Sequence, residues 1–283
     1  MHRIYGQQLF IFALSCAVAL AHGKLFFWKV PLNATPFSLM GISFAIFLGF
    51  RINVSYERFW EGRKLWGSVL VESRNLARMA QTFMFPAKDV RPFVLGLIGF
   101  ACTMRNQLRS LPPNHQLGEL LPQDVQDKLV NARSAPTLVL LWLGRWLQSC
   151  REERLLPPHL AQNMERSLDT LSVALGSCER IANTPMPFAY TVILHRSVYL
   201  YCILLPFGLV DSIGIMTPLA VAFVSYTFFA LEALSDEIEN PFGMDANDLA
   251  LDTLVASINA SLREMLGETP PPAPQPDANF VLT

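Results

Sequence analysis

Nineteen consecutive residues, 213–231, carry no charge. A helix needs about 20 mostly apolar residues to cross the hydrocarbon core of a bilayer. That stretch alone restricts the chain to a membrane span or an unusually dry core helix. Residues 9–23 are also uncharged, and they lead to Lys24, Phe26, Phe27 and Trp28. A snorkelling cation beside aromatic rings suits a membrane–water interface. Residues 37–50 are apolar and stop at Arg51, and residues 197–210 are apolar and follow His195 and Arg196. The sequence thus predicts four spans, two full and two short. The short ones suit helices that face other helices or water instead of lipid, and on length alone they also suit buried core helices. Only 16% of residues are charged and 52% are hydrophobic, against roughly 25% charged in soluble domains. A second reading of the N-terminus is a signal peptide, with Arg3 as its basic region and Ala19-Leu20-Ala21 as its cleavage site. The apolar run continues past His22 to Trp28, which favours a span.

Charge then orients the spans. Of the 22 basic residues, 17 lie between Arg51 and Arg180, two lie in residues 24–37, and none lies in 210–218. Basic residues accumulate on the cytoplasmic side of a membrane. Both termini and the long middle segment are therefore expected in the cytoplasm of a cell-membrane protein. The net charge of −1 provides no general field for nucleic acid. Five widely spaced cysteines, without a CxxC pair, suggest neither a disulfide framework nor a zinc site.

Proline divides the rest. None occurs in residues 37–85, so one helix there would be on the order of 70 Å long, over twice the hydrocarbon thickness. Its first half would cross the bilayer and its second half would project into the cytoplasm. Residues 92–104 and 136–149 each begin with a proline, which suits a helix start, and are too short to span. Residues 111–123 hold Pro112, Pro113 and Pro122 and read as a loop. Met164, Leu168, Leu171 and Leu175 recur at helical spacing, so 163–181 should bury one face. Thr184-Pro185-Met186-Pro187 ends that helix before the third span. From Glu232 to Asp277 there are ten acids and one base, Arg263, and the tail from Gly267 is proline-rich. The expected organisation is 1–58, the first two spans; 59–185, a cytoplasmic helical region; 186–232, spans three and four; 233–266, an acidic cytoplasmic segment; and 267–283, the tail.

Ile42, Ile46 and Phe50 recur every four residues and form one slowly drifting stripe on the second helix. Gly41, Ser43, Ala45 and Gly49 beside them allow close helix approach. Periodicity leaves two readings, ordinary packing and pore lining. Around a shared axis the stripe would make a dry neck about 12 Å long. The run from Ser55 to Gly67 alternates aromatic and cationic residues, as an interfacial anchor or a solvated amphipathic face would.

Two motifs resemble the bestrophin family. The first runs from Phe47-Leu48-Gly49-Phe50 through Arg58-Phe59-Trp60 to Gly67, and resembles the family's second-helix signature. The second is Asn240-Pro241-Phe242-Gly243, followed by Asp245, Asp248 and Asp252. The resemblance covers most of the chain to about Met265 and is nearest the prokaryotic branch. It implies an all-α integral membrane protein with four transmembrane helices and a cytoplasmic helical region, assembled as a pentameric ring around one pore. It also implies a channel for small inorganic ions, chloride in animal members, with a neck at Ile42, Ile46 and Phe50 and a cytoplasmic aperture at Met186. Animal members hold calcium with an unbroken acidic run after that second motif. Here Met244, Ala246, Asn247 and Leu249 interrupt it. Calcium takes six to eight oxygen ligands, so Asp245 and Asp248 are expected to form a weak divalent site or an acidic cap.

Enzyme motifs are missing from the sequence: there is no HExxH, GxGxxG, Walker loop or GxSxG. The five histidines, His2, His22, His115, His159 and His195, are scattered. His195, beside an apolar run, is expected to make an interhelical hydrogen bond. The alternative to a channel is a membrane-anchored scaffold whose cytoplasmic helices bind a soluble partner. A secondary transporter fits less well, because no repeat divides the chain into halves.

Overall fold

The computed structural model describes residues 4–21, 24–25, 28–29, 33–84, 86–272 and 274–276, with backbone alone inside 22–32. Among these the chain forms nine α-helices. They are α1 (Tyr5–Leu20), α2 (Ala34–Met84), α3 (Arg91–Leu108), α4 (Gln123–Leu129), α5 (Ala135–Glu152), α6 (Pro158–Asn183), α7 (Phe188–Ile213), α8 (Thr217–Glu239) and α9 (Leu251–Met265). A two-residue antiparallel ladder pairs Lys24–Leu25 with Trp28–Lys29. The expected interfacial side chains of Lys24, Phe26, Phe27 and Trp28 lie outside the described side chains, as do Arg3, His2 and His22. The tail beyond Pro276 is also outside the described residues.

The helix boundaries follow proline chemistry. A proline lacks the N–H that a first-turn residue would leave unused, and α3, α5, α6 and α8 each carry one at their first or second position. The proline-free stretch is one helix, α2, whose 51 residues span about 75 Å.

The chain divides into two compact units. The first comprises Met1–Arg58 and Pro185–Asn240, and the second Phe59–Thr184 and Pro241–Thr283. In the first, α1 packs on α7 and α8, and Gln8 Nε2 donates to the Ala222 carbonyl at 2.8 Å. Phe37, Leu48, Val198, Tyr201, Val221 and Phe229 form its apolar interior. The missing side chains of Gly41 and Gly208 let α2 and α7 approach. A Cβ on Gly208 would lie 2.5 Å from the Phe37 ring, and one on Gly41 would lie 2.9 Å from the Tyr201 hydroxyl.

In the second unit α3 is the central helix, buried on every side from Phe93 to Asn106 and packed against α5, α6 and α9. A helix apolar all round is one enclosed by neighbours, which accounts for an apolar segment too short to span. On α6, Met164, Leu168, Leu171 and Leu175 are all buried, as their spacing predicts. Gly62 permits a further close contact. A Cβ there would meet the Phe242 ring at 3.0 Å, so the two motifs quoted for the resemblance touch each other.

Three sequence expectations are corrected. The uncharged run 213–231 does not form one helix: Gly214 adopts φ +53°, a short 3-10 turn follows over Gly214–Met216, and α8 continues to Glu239. His195 and Arg196 lie within α7 instead of ahead of it. Helix α9 occupies much of the segment read only as an acidic stretch, while α4 begins at Gln123, the last residue of the segment read as a loop.

Candidate pore and its charged supports

Ile42, Ile46 and Phe50 project from α2 into open space, with relative exposures of 61%, 53% and 60%. On the opposite side of the same turns, Leu48 and Arg51 are buried. This inverts the arrangement usual in water, where large apolar groups are inside and arginine is almost never fully buried without a partner. Ser43 and Ala45 are exposed with the stripe, and nothing lies within 4 Å of where a Gly49 Cβ would be. Of the small residues noted beside the stripe, Gly41 is the one that meets a neighbouring helix within the chain.

The partners of Arg51 come from α8. Asp236 bonds Arg51 Nη2, Glu239 Oε2 lies 3.7 Å from the same nitrogen, and Glu232 Oε1 lies 3.9 Å from Nη1. Three carboxylates around one guanidinium offset part of the desolvation penalty that an isolated buried charge would meet, although Nε and Nη1 of Arg51 make no hydrogen bond. The seam continues along both helices. Ser55 and Ser235 hydroxyls are 3.0 Å apart, and Arg58 Nε donates to the Glu239 carbonyl at 3.1 Å. Residues 51, 55 and 58 on α2 thus face 232, 235, 236 and 239 on α8, each set at helical spacing. Sequence reading missed this seam, because it treated Arg51 as the end of a span and Glu232 as the start of an acidic tail. The signal was present in the matching spacing of one basic and one acidic set.

The seam reaches α7 as well. His195 Nδ1 lies 2.7 Å from Glu232 Oε1, which is the interhelical bond expected of it. The His195 ring also packs on Tyr199, with centroids 4.6 Å apart. Met186, partly exposed, lies between α6 and α7, and its N–H donates to Glu239 Oε1 at 3.0 Å. One carboxylate thus accepts from Met186 while facing Arg51, the residue after Phe50.

The acidic segment after α8 folds into a tight turn. Asp245 N–H donates to Asp248 Oδ2 at 2.7 Å, Asp248 N–H donates to the Asp245 carbonyl at 3.0 Å, and Leu249 N–H donates to the Pro241 carbonyl at 2.9 Å. Asp252 is drawn away from this turn. Its two oxygens accept from Arg105 Nη1 at 2.6 Å and Arg109 Nη1 at 2.7 Å. Burial raises the cost of charge on Asp252, but the Arg109 charge and the Arg105 hydrogen bond and charge outweigh it and hold the carboxyl below its ordinary value. Among the described residues no three His, Cys, Asp or Glu side chains gather as a metal-holding group. Asp248 is thus used partly by its own turn and Asp252 by two arginines.

Two stretches of the helical chain, within α2 and across α7–α8, are long and apolar enough to cross a bilayer, and α1 is a shorter apolar helix. Together with the apolar stripe outside and the charge seam inside, they define a helical chain built for surroundings other than water. A family model described as bacterial and fungal bestrophin protein matches residues 1–264, and the chain belongs to that family. Among its relatives is the voltage-dependent anion channel-forming protein RSc3414 of Ralstonia nicotianae, 43% identical over 269 residues, covering 94% of this chain and 88% of that one. The voltage-dependent anion channel-forming protein YneE of Escherichia coli K12 is 39% identical over 284 residues, covering 100% of this chain and 93% of that one. The crystal structure of a bacterial bestrophin homologue from Klebsiella pneumoniae superposes with a TM-score of 0.90 at 39% identity, covering 94% of this chain and all of that one.

Proposed function

We propose that the chain is one subunit of a bestrophin-type channel in the cell membrane, not an enzyme, and that five copies surround one pore for small anions. The observation that carries this reading is the inversion on α2: Ile42, Ile46 and Phe50 exposed, Arg51 enclosed. A bilayer and neighbouring subunits remove the cost of that exposure, and a common axis turns the stripe into a dry neck. The spans are α1, the first half of α2, α7 and α8, with both termini and the second unit in the cytoplasm, as the basic residues favour. Met186 forms the cytoplasmic aperture. Asp245 and Asp248 contribute at most weak divalent-cation binding. The neck is uncharged, so the sign of the permeant ion rests on the names of the relatives.

Purified protein in planar bilayers under a potassium chloride gradient tests this. The reversal potential is expected near the chloride equilibrium potential. A reversal near the potassium potential would keep the channel and overturn the sign. No current from a correctly assembled oligomer would overturn the channel itself.

A further inference from the structure

We propose that Glu239 is a positioning residue that ties the aperture at Met186 to the helix bearing the neck, an inference that rests on the channel reading above. Met186 stands between Pro185 and Pro187, neither of which has a backbone N–H. The Met186 N–H is therefore the one main-chain donor of that tripeptide, and Glu239 Oε1 accepts it at 3.0 Å. The other oxygen, Oε2, lies 3.7 Å from Nη2 of Arg51. Arg51 is wholly buried and directly follows Phe50 in α2, so its guanidinium moves only with the backbone that carries the neck.

Glu239 is itself the last residue of α8, and its carbonyl accepts from Arg58 Nε, seven residues further along α2. The carboxylate is held from two sides, by α2 through Arg51 and by α8 through its own backbone. The segment at Met186, which proline excludes from the helical hydrogen-bond ladder, has its position set by that carboxylate. A lateral shift of α2 at the neck is passed to the aperture through this charge-assisted hydrogen bond, beside a neutral one in which the Tyr190 hydroxyl donates to the Phe47 carbonyl at 3.2 Å. The two constrictions then behave as one mechanical element, and Glu239 sets how wide the second stands.

Two variants separate this tie from a simple effect of negative charge near the pore. Glu239→Gln removes the charge and the ion pair with Arg51 but keeps, anchored on α8, an oxygen at the length needed to accept the Met186 N–H. Glu239→Asp keeps the charge but is one methylene too short to reach it. The readout is the permeability of a larger ion relative to a small one of the same sign in planar bilayers. Gluconate against chloride serves for anions, and N-methylglucamine against sodium for cations. Only protein eluting as the intact oligomer is recorded, and both substitutions are close enough in size to assemble. Glu239→Asp is expected to raise the relative permeability of the larger ion severalfold, and Glu239→Gln to change it much less. With Met186→Ala as background, Glu239→Asp should add nothing further. The reverse ranking of Gln and Asp, or an undiminished effect of Asp in the Met186→Ala background, would overturn the inference while leaving the aperture reading intact. An unchanged ratio for Met186→Ala alone would overturn the aperture reading and the inference with it.

Discussion

Arg105 and Arg109 bring two nearly buried guanidinium groups to one side of α3, and Asp252 meets both. Replacing Asp252 by Asn leaves two buried cations facing a neutral amide. Breaking a fully buried pair costs about 3–5 kcal/mol. Asp252 keeps about a third of its side chain in water, and screening reduces the effect to roughly 2–3 kcal/mol. The pH dependence has a definite sign. The folded carboxyl titrates below its unfolded value, so its stabilisation is complete above about pH 3.9 and is lost as pH falls through the lowered folded value. Thermal melts of the native chain and Asp252→Asn should therefore differ most near neutrality and converge below about pH 4. A constant gap across that window would show that Asp252 acts through shape alone. Sequence identified Asp245, Asp248 and Asp252 as one acidic group and not the separate partner of Asp252, since Arg105 lies 147 positions away and no local periodicity links them.

Helix α2 was legible because a long absence of proline is a local property, and so were the proline starts of α3 and α5 and the buried face of α6. Helix α9 was not, although Leu251, Val255, Ile258 and Leu262 are spaced as one buried stripe. The acidic residues around it dominated the composition and hid the period. The far end of α8 was lost for a related reason. Hydropathy stops at Glu232, whereas the helix continues because Arg51 compensates the acids that follow. The neck stripe remains the feature on which periodicity was silent, since packing and pore lining share one spacing. Changing Ile42, Ile46 and Phe50 together to Ala separates them. A lining stripe should give an intact oligomer with larger conductance or open probability, because bulk and dryness at the constriction fall. A packed stripe should lose about 2–5 kcal/mol per truncation and fail to assemble. Size exclusion and single-channel recording on one preparation distinguish the outcomes.

At the scale of the molecule, one chain offers one stripe, and one stripe does not enclose a pore alone. The exposed apolar residues of α2, among them Leu39, Met40, Phe47 and Val54 beside the neck, need cover beyond that stripe. Mass measurement in mild detergent or nanodiscs is expected to give five copies, and a conducting monomer or dimer would contradict the ring. The two units are also interleaved along the sequence, each beginning early and closing late. Arg51 meets Asp236 after a gap of 185 positions, and Gln8 meets Ala222 after 214. At 5–20 residues per second, the ribosome takes about 10–40 s to make the carboxylates that Arg51 requires. Throughout that interval the guanidinium has to stay hydrated. In the proposed topology the first helical hairpin, although the earliest part synthesised, is therefore expected to settle to its final depth in the membrane among the last steps of biogenesis.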